Sequence, residues 1–143
     1  MIKKLILSTI FVLFVFVSNA QDGPPAIAMP TGENEVLIDE LIKVTDFERH
    51  FKDYCTKRVN DYAKQKNVDS KRVNQMLGSV SLKHFNVTLY NEFSSYSKDQ
   101  LKRMIELFKK INEGNTHKLS IMSSLIQINL DYFVQSIIES EYE

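Results

Sequence analysis

Apolar residues recur at steps of three and four from Lys118 to Ile138, the spacing that places them on one face of an α-helix. Asp131 carries the only formal charge of this segment after Lys118. A helix this apolar is expected to lie in the middle of a bundle or to bury a second face against a partner. Frequent Ser, Asn and Gln residues argue against a membrane span. The first face comprises Leu119, Met122, Ile126, Leu130, Phe133 and Ile137, and Ile121, Leu125, Ile128 and Tyr132 widen it.

Two helices are predicted upstream. The first covers about 35–44 and has apolar residues on one face. Thr45 and Glu48 have the spacing of a capping box, in which each side chain bonds the backbone beside the other. The sequence therefore predicts a second helix that is capped by Thr45 and runs to about Lys66.

A third helix is predicted to run to about Phe93. Either Asp69 or Ser70 can cap its start. Gly78 lies inside the apolar pattern, where a glycine costs about 1 kcal/mol relative to alanine. This glycine therefore marks either a kink or a close helix crossing.

The fourth helix begins with a second capping box, formed by Ser97 and Gln100. Gly114 is expected to close it in the left-handed conformation. Because the last helix follows at once, the fourth and fifth helices are predicted to pair antiparallel.

These segments predict an all-α fold, a single helical bundle of about five helices over residues 34–143. Residues 21–33 hold all three prolines and two of the four glycines, a composition typical of a flexible lead. After this lead, proline is absent and the only glycines are Gly78 and Gly114. No alternation with a period of two indicates strands.

The first 20 residues have the three-part layout of a secretory signal peptide. Lys3 and Lys4 form a short positive region, and residues 5–17 are almost continuously apolar. Small residues ending at Ala20 fit a signal peptidase, so the mature chain is expected to begin at Gln21 and to be periplasmic or secreted. The apolar run would span only about 20 Å as a helix, short of the membrane core of about 30 Å, so no integral membrane segment is expected after cleavage.

In the segment from Tyr96 to Leu119, a helix of the form SKDQLKRMIELF is followed by a glycine six residues after the phenylalanine, and a long closing helix comes next. This layout resembles the domain of unknown function 2059 family of bacterial envelope proteins. The resemblance implies a helical exported protein and brings no known activity or site residues. Ser97, Leu101, Phe108 and Gly114 fall on the family's positions, whereas Lys109 and Asn112 stand where a Tyr and a Pro are usual.

Charge and composition narrow the range of partners. The mature chain would have 16 basic and 18 acidic residues once Lys3 and Lys4 are removed. A net charge near −2 does not favour nucleic acid or an anionic membrane surface. A protein partner, an apolar ligand and self-association all stay open.

Candidate chemistry is sparse, and the sequence predicts no cofactor and no metal site. His50, His84 and His117 lie in three different segments without the spacing of a metal site, and no phosphate loop or nucleophile elbow is present. His84 lies on the inner line of the third helix and is expected to be a hydrogen-bonded core residue. Folding could still assemble the histidines with nearby carboxylates into a catalytic site.

Asp131 and Cys55 are the other two residues of interest. Burial of Asp131 would raise its pKa unless a cation meets it. We expect Asp131 to face water or a cation of the fourth helix, such as Arg103 or Lys110. Cys55 lies one turn from apolar neighbours and is expected to be a small buried residue, with a reactive thiol or an intermolecular disulfide as alternatives.

Three functions are therefore compatible with the sequence. The favoured one is a non-enzymatic binding or protein-interaction module of the bacterial envelope, motivated by the wide apolar girth of the third and last helices. The alternatives are a small envelope hydrolase with an unrecognised site and a structural or chaperone-like protein of envelope maintenance.

Overall fold

The computed structural model describes residue 30 and residues 32–140, and these residues form six α-helices and no strand. The predicted all-α helical bundle is thereby confirmed. The predicted signal peptide at 1–20 and most of the predicted lead at 21–33 lie outside the described residues. The helices are α1 (Gly32–Val44), α2 (Phe47–Lys66), α3 (Ser70–Gly78), α4 (Leu82–Phe93), α5 (Lys98–Asn112) and α6 (Ser124–Glu139).

The predicted third helix is in fact two helices. Gly78 ends α3, and Ser81 has an extended backbone immediately before α4. The hydroxyl and the N–H of Ser79 both bond the Gln75 carbonyl, at 3.2 Å each. A glycine followed by serines, which compete for backbone hydrogen bonds, favours such a break. The break explains why the bundle has six helices where about five were predicted.

The prediction that Thr45 and Glu48 form a capping box at the start of α2 is wrong. Asp46, in the left-handed conformation, is the N-cap residue and makes no side-chain cap bond. The Thr45 hydroxyl instead donates to the carbonyls of Leu41 at 2.8 Å and Ile42 at 3.2 Å. Thr45 is therefore buried because it closes α1, not because it opens α2.

Three other predicted helix ends are confirmed. The Asp69 side chain accepts the N–H of Arg72 at 3.0 Å at the start of α3. Ser97 and Gln100 form a complete capping box at the start of α5. Gly114 has the predicted left-handed backbone, with a φ of 71°, and it follows Glu113, the extended C-cap residue of α5.

The last helix begins later than predicted, at Ser124 instead of near Lys118. The Ser123 hydroxyl accepts the N–H of Ile126 at 3.1 Å and caps it. The residues before Ser123 form an irregular segment whose backbone is held by Asn112. The amide nitrogen of Asn112 donates to the carbonyls of Val44 and Leu119, each at 3.0 Å, and its oxygen accepts the N–H of Leu119 at 2.7 Å.

α5 packs chiefly against α1, so the predicted antiparallel pairing of α5 with α6 is wrong. Glu33 bonds Lys98 at 2.8 Å where both helices begin, and Asn112 bonds the Val44 carbonyl where both end. α1 and α5 are therefore parallel neighbours. The irregular segment after α5 carries the chain away, so that α6 packs against other helices.

α6 packs against α2 and α4. The rings of Phe51 in α2 and Phe85 in α4 lie 5.4 Å and 5.7 Å from that of Phe133 in α6. The buried side of α6 faces this aromatic cluster, which joins the single core of the described chain. The opposite side of α6 has no helix over it. The buried side consists of Ile126, Leu130, Val134 and Ile137.

Candidate interaction surface

Three large apolar side chains are exposed on the outer side of α6. Leu125 is 51%, Ile128 is 50% and Tyr132 is 72% exposed. Their spacing of three and four residues places them in one row along the helix, which we call the α6 stripe. Leu119 and Met122, in the irregular segment, are also exposed. The helix is therefore apolar on two sides, as its sequence indicates, and only one of them is buried.

The α6 stripe is bordered by uncharged residues on most of its length. Between Ser124 and Ile138 the only formal charge is Asp131. The exposed apolar residue Leu107 on α5 differs, because Arg103 and Lys110 lie beside it on the helix surface, together with the exposed Ile111. A solvated helix face normally resembles that of α5.

Asp131 is held by α2 instead of by the expected cation of α5. Its carboxylate accepts the hydroxyl of Tyr54 at 2.5 Å and lies 3.4 Å from the guanidinium of Arg58. The side-chain nitrogen of Gln127 also lies 3.4 Å from it. The hydrogen bond from Tyr54, supported by Gln127 and Arg58, holds the pKa of Asp131 below its ordinary value. The charge that borders the stripe is therefore paired within the chain.

Tyr54, Arg58 and Gln127 are residues that sequence reasoning missed. The phenol of Tyr54 is partly buried, and burial followed by the bond to Asp131 raises its pKa. Gln127 donates to the same hydroxyl at 2.9 Å. A weak signal was present: Tyr54 and Arg58, like Gln127 and Asp131, are four residues apart and so share a helix face.

Cys55 is fully buried, as expected. Desolvation raises the pKa of its thiol to about 12. At neutral pH the side chain is therefore an uncharged thiol without access to solvent, which makes it a poor nucleophile. The structure places it in the core and not at a reactive surface.

The histidines do not form a site. His84 is exposed on α4, so the expectation of a hydrogen-bonded core residue is wrong. His117 is exposed in the irregular segment, and the ring of His50 lies between those of Phe47 and Tyr54 at 6.2 Å and 6.5 Å. Within residues 32–140, no hydrogen bond or ring contact joins two histidines, and no cluster of His, Cys, Asp and Glu fits a metal ion.

A cavity of about 220 Å³ lies beside the start of α6, between α4 and α5. Its wall is mainly aromatic and aliphatic, and Glu92 is its charged residue. Met122, which is close in sequence to the α6 stripe, also lines the cavity. Its apolar wall includes Phe93, Tyr96, Met104, Phe108, Ile121 and Ile126.

No described helix combines the length and the hydropathy that crossing a membrane requires. Comparisons with protein-family models, with curated proteins and with solved structures give no match. The fold and the surface therefore place this protein in a structural class. It is an all-α helical bundle with an uncharged, apolar row exposed on its last described helix.

Proposed function

We propose that this protein is a non-enzymatic protein-interaction module of the bacterial envelope, and that it binds its partner through the α6 stripe. The observation that supports this function is the exposure of Leu125, Ile128 and Tyr132 in one row. Aromatic and large aliphatic side chains without neighbouring charges are typical of the centres of protein interfaces. A row of this kind on a helix suits helix-on-helix docking.

A protein suits this surface better than a membrane does. Helices that lie on membranes carry Lys and Arg beside their apolar face. α6 contains neither, and Arg58 of α2 is paired with Asp131. α6 therefore offers a lipid headgroup no positive charge of its own.

The proposed location rests on the sequence. The signal-peptide layout of residues 1–20 supports export, and the resemblance of residues 96–119 to the domain of unknown function 2059 family supports an envelope protein. We propose membership of that family on the same residues. Asn112, which stands where a Pro is usual, bonds the Val44 carbonyl at the end of α1 and the N–H of Leu119 in the irregular segment.

An apolar small molecule is the second candidate ligand. The cavity beside α6 supports it, because aromatic and aliphatic side chains form most of its wall. Extra mass on the purified protein in native mass spectrometry would identify such a ligand. No contact among the described residues favours the hydrolase alternative, and none bears on a role in envelope maintenance.

Photocrosslinking in the cell tests the proposed function. A photoreactive phenylalanine analogue replaces Tyr132, and in a control strain it replaces Leu107. We expect irradiation to link the Tyr132 variant to a protein and to leave the Leu107 variant free, because only the first lies in the uncharged row.

Two results would contradict the proposal. One is the absence of any protein adduct from position 132. The other is an equal yield from position 107, which would mean that exposure alone explains the adduct. Export is tested separately, below.

A further inference from the structure

We propose that the cavity beside α6 is occupied by the chain's own lead, and that the apolar side chains of Ile27 and Met29 fill it. The lead (residues 21–33) lies mostly outside the described residues, and the first described helix begins at Gly32. This inference does not depend on the α6 stripe. It assigns the cavity to a segment of this chain and makes any free apolar ligand a competitor of that segment.

The lead joins the folded domain next to the cavity. Asn34, in the first turn of α1, donates from its side-chain nitrogen to the carbonyl of Tyr96 at 3.0 Å. Tyr96 is one of the residues that form the cavity wall. Glu33 bonds Lys98 at 2.8 Å, two residues further along the chain from Tyr96. The lead therefore enters α1 beside the wall of the cavity.

The length of the lead brings two large apolar side chains within reach of the cavity. Met29 lies three residues and Ile27 five residues before Gly32. An extended chain spans at most about 3.5 Å per residue, so these residues can lie up to about 10 Å and about 17 Å from the start of α1. Because Tyr96 contacts that start, both side chains can reach the Tyr96 side of the cavity.

Residues 26–29 alternate small and large apolar side chains, and the lead has no charge between Asp22 and Glu33. Met29 precedes Pro30, a position that favours an extended backbone. Residues two apart in an extended chain point to the same side and lie about 7 Å apart. Ile27 and Met29 can therefore enter the cavity together, while the alanines between and before them face away from it.

The cavity suits side chains of this size and chemistry. Its volume of about 220 Å³ is below the range of about 300–1,000 Å³ that is usual for the sites of drug-sized ligands. An apolar cavity of about 150 Å³ already holds a benzene ring. The rings of Phe93 and Tyr96 lie 5.5 Å apart in its wall, and a thioether such as that of Met29 packs favourably against aromatic rings. One or two apolar side chains therefore match the cavity better than a large ligand does.

Covalent attachment favours the lead over an unrelated apolar molecule. A segment that is joined to its site by a few residues has an effective concentration in the millimolar range. A free ligand must therefore bind strongly enough to compete with that concentration before it enters the cavity. The lead thereby limits which apolar molecules this cavity admits.

Disulfide formation within the mature chain tests the position of the lead. Met29→Cys combined with Met104→Cys is expected to form an intramolecular disulfide on mild oxidation, because Met104 lines the cavity. Intact mass spectrometry detects the bond by the loss of two hydrogen atoms. Cys55 can be retained in every variant, since its thiol is buried and its pKa is raised to about 12.

Met29→Cys combined with Lys102→Cys is the matched control. The pKa of Glu33 is lowered by its hydrogen bond to Lys98 and also by the charge of Lys102, so Lys102 lies near the start of α1. Two residues apart on a helix, Lys102 and Met104 point in nearly opposite directions. A lead without a fixed position would reach both, so we expect the link to position 104 to form at least tenfold faster. Equal rates, or no link at either position, would overturn the inference.

Thiol labelling measures whether the lead limits access to the cavity. Met104→Cys is expected to react with a maleimide at least tenfold faster when Ile27→Ser and Met29→Ser are also present, because serines lose the apolar burial that holds the lead. Ala26→Ser with Ala28→Ser is the control and is expected to leave the rate unchanged. Circular dichroism should show the same helix content in every variant, since these four positions precede α1. An unchanged rate with Ile27→Ser and Met29→Ser would contradict the proposal.

Native mass spectrometry compares the lead with a free ligand. The mature protein is expected to carry no additional mass. An apolar molecule retained at full occupancy, together with no link between positions 29 and 104, would assign the cavity to that molecule and overturn the role of the lead. Photocrosslinking at position 132 tests the α6 stripe alone, so this inference and the proposed function can fail independently.

Discussion

At the scale of single residues, burial and neighbouring polar groups decide whether each candidate side chain is ionised and whether it reaches solvent. Cys55 and Asp131 both lie on helix faces rich in apolar residues, yet Cys55 is fully buried and the Asp131 side chain is 46% exposed. The thiol loses its ionisation because it is desolvated, whereas the carboxylate keeps its charge because a phenol and a guanidinium bind it. His84 shares a helix with the buried Phe85 and Leu89 but faces solvent.

The bond between Tyr54 and Asp131 predicts a pH-dependent stability. Tyr54→Phe is expected to lower the free energy of unfolding by about 1 kcal/mol at pH 7, the usual size for one hydrogen bond. The folded-state pKa of Asp131 is lowered from 3.8. The stabilisation is therefore present above that value and is lost as the pH falls through the folded-state pKa. Urea unfolding at pH 7 and at a series of pH values falling below 3.8 measures the change.

Tyr62→Phe on the same helix is the control. The Tyr62 hydroxyl makes no hydrogen bond within the described chain, so a change below about 0.5 kcal/mol is expected. If the difference between Tyr54→Phe and the wild type stayed the same down to the lowest pH at which the protein folds, the bond to an ionised Asp131 would not be its cause.

At the scale of elements, sequence rules found the capping box of α5 but missed the role of Thr45 at the end of α1 and the start of α6. Ser97 and Gln100 satisfy each other within one turn, so their capping box could be found in the sequence. Thr45 has an equally suitable partner, but its hydroxyl bonds the end of α1. The start of α6 depends on the irregular segment before it, which Asn112 fixes from another helix.

Because Asn112 holds the irregular segment in place, we expect Asn112→Ala to lower the free energy of unfolding considerably. The change would leave the Val44 carbonyl and both backbone groups of Leu119 without the amide that pairs them. The three hydrogen bonds are partly buried and each contributes about 1 kcal/mol, so we expect the free energy of unfolding to fall by about 3 kcal/mol. Urea unfolding measures this fall, and hydrogen exchange at the Leu119 N–H should accelerate.

Asn115→Ala is the matched control for this substitution. Asn115 is exposed and bonds only the Ile111 carbonyl of the preceding turn, so its loss should cost less than about 0.5 kcal/mol. Equal losses for the two asparagines would show that Asn112 does not hold the segment.

At the scale of the whole molecule, the proposed function requires that the chain reach the envelope. The envelope fraction of the native host is expected to contain a protein whose mass begins at Gln21, because a peptidase reads small residues ending at Ala20. Intact mass spectrometry measures it. Ala20→Leu should block cleavage and keep the larger mass. A wild-type protein that retains Met1 would contradict export.

The sequence by itself determined the all-α fold class and the two-sided apolar character of the last helix. Both properties depend on residues within a few positions of each other, and period and capping rules describe such short-range interactions. The tertiary structure decided that Tyr54 and Arg58 pair with Asp131, that α1 lies beside α5, and that Leu125, Ile128 and Tyr132 remain exposed. These contacts join residues far apart in the chain. They depend on how the helices cross, which the periodicity of one helix does not specify.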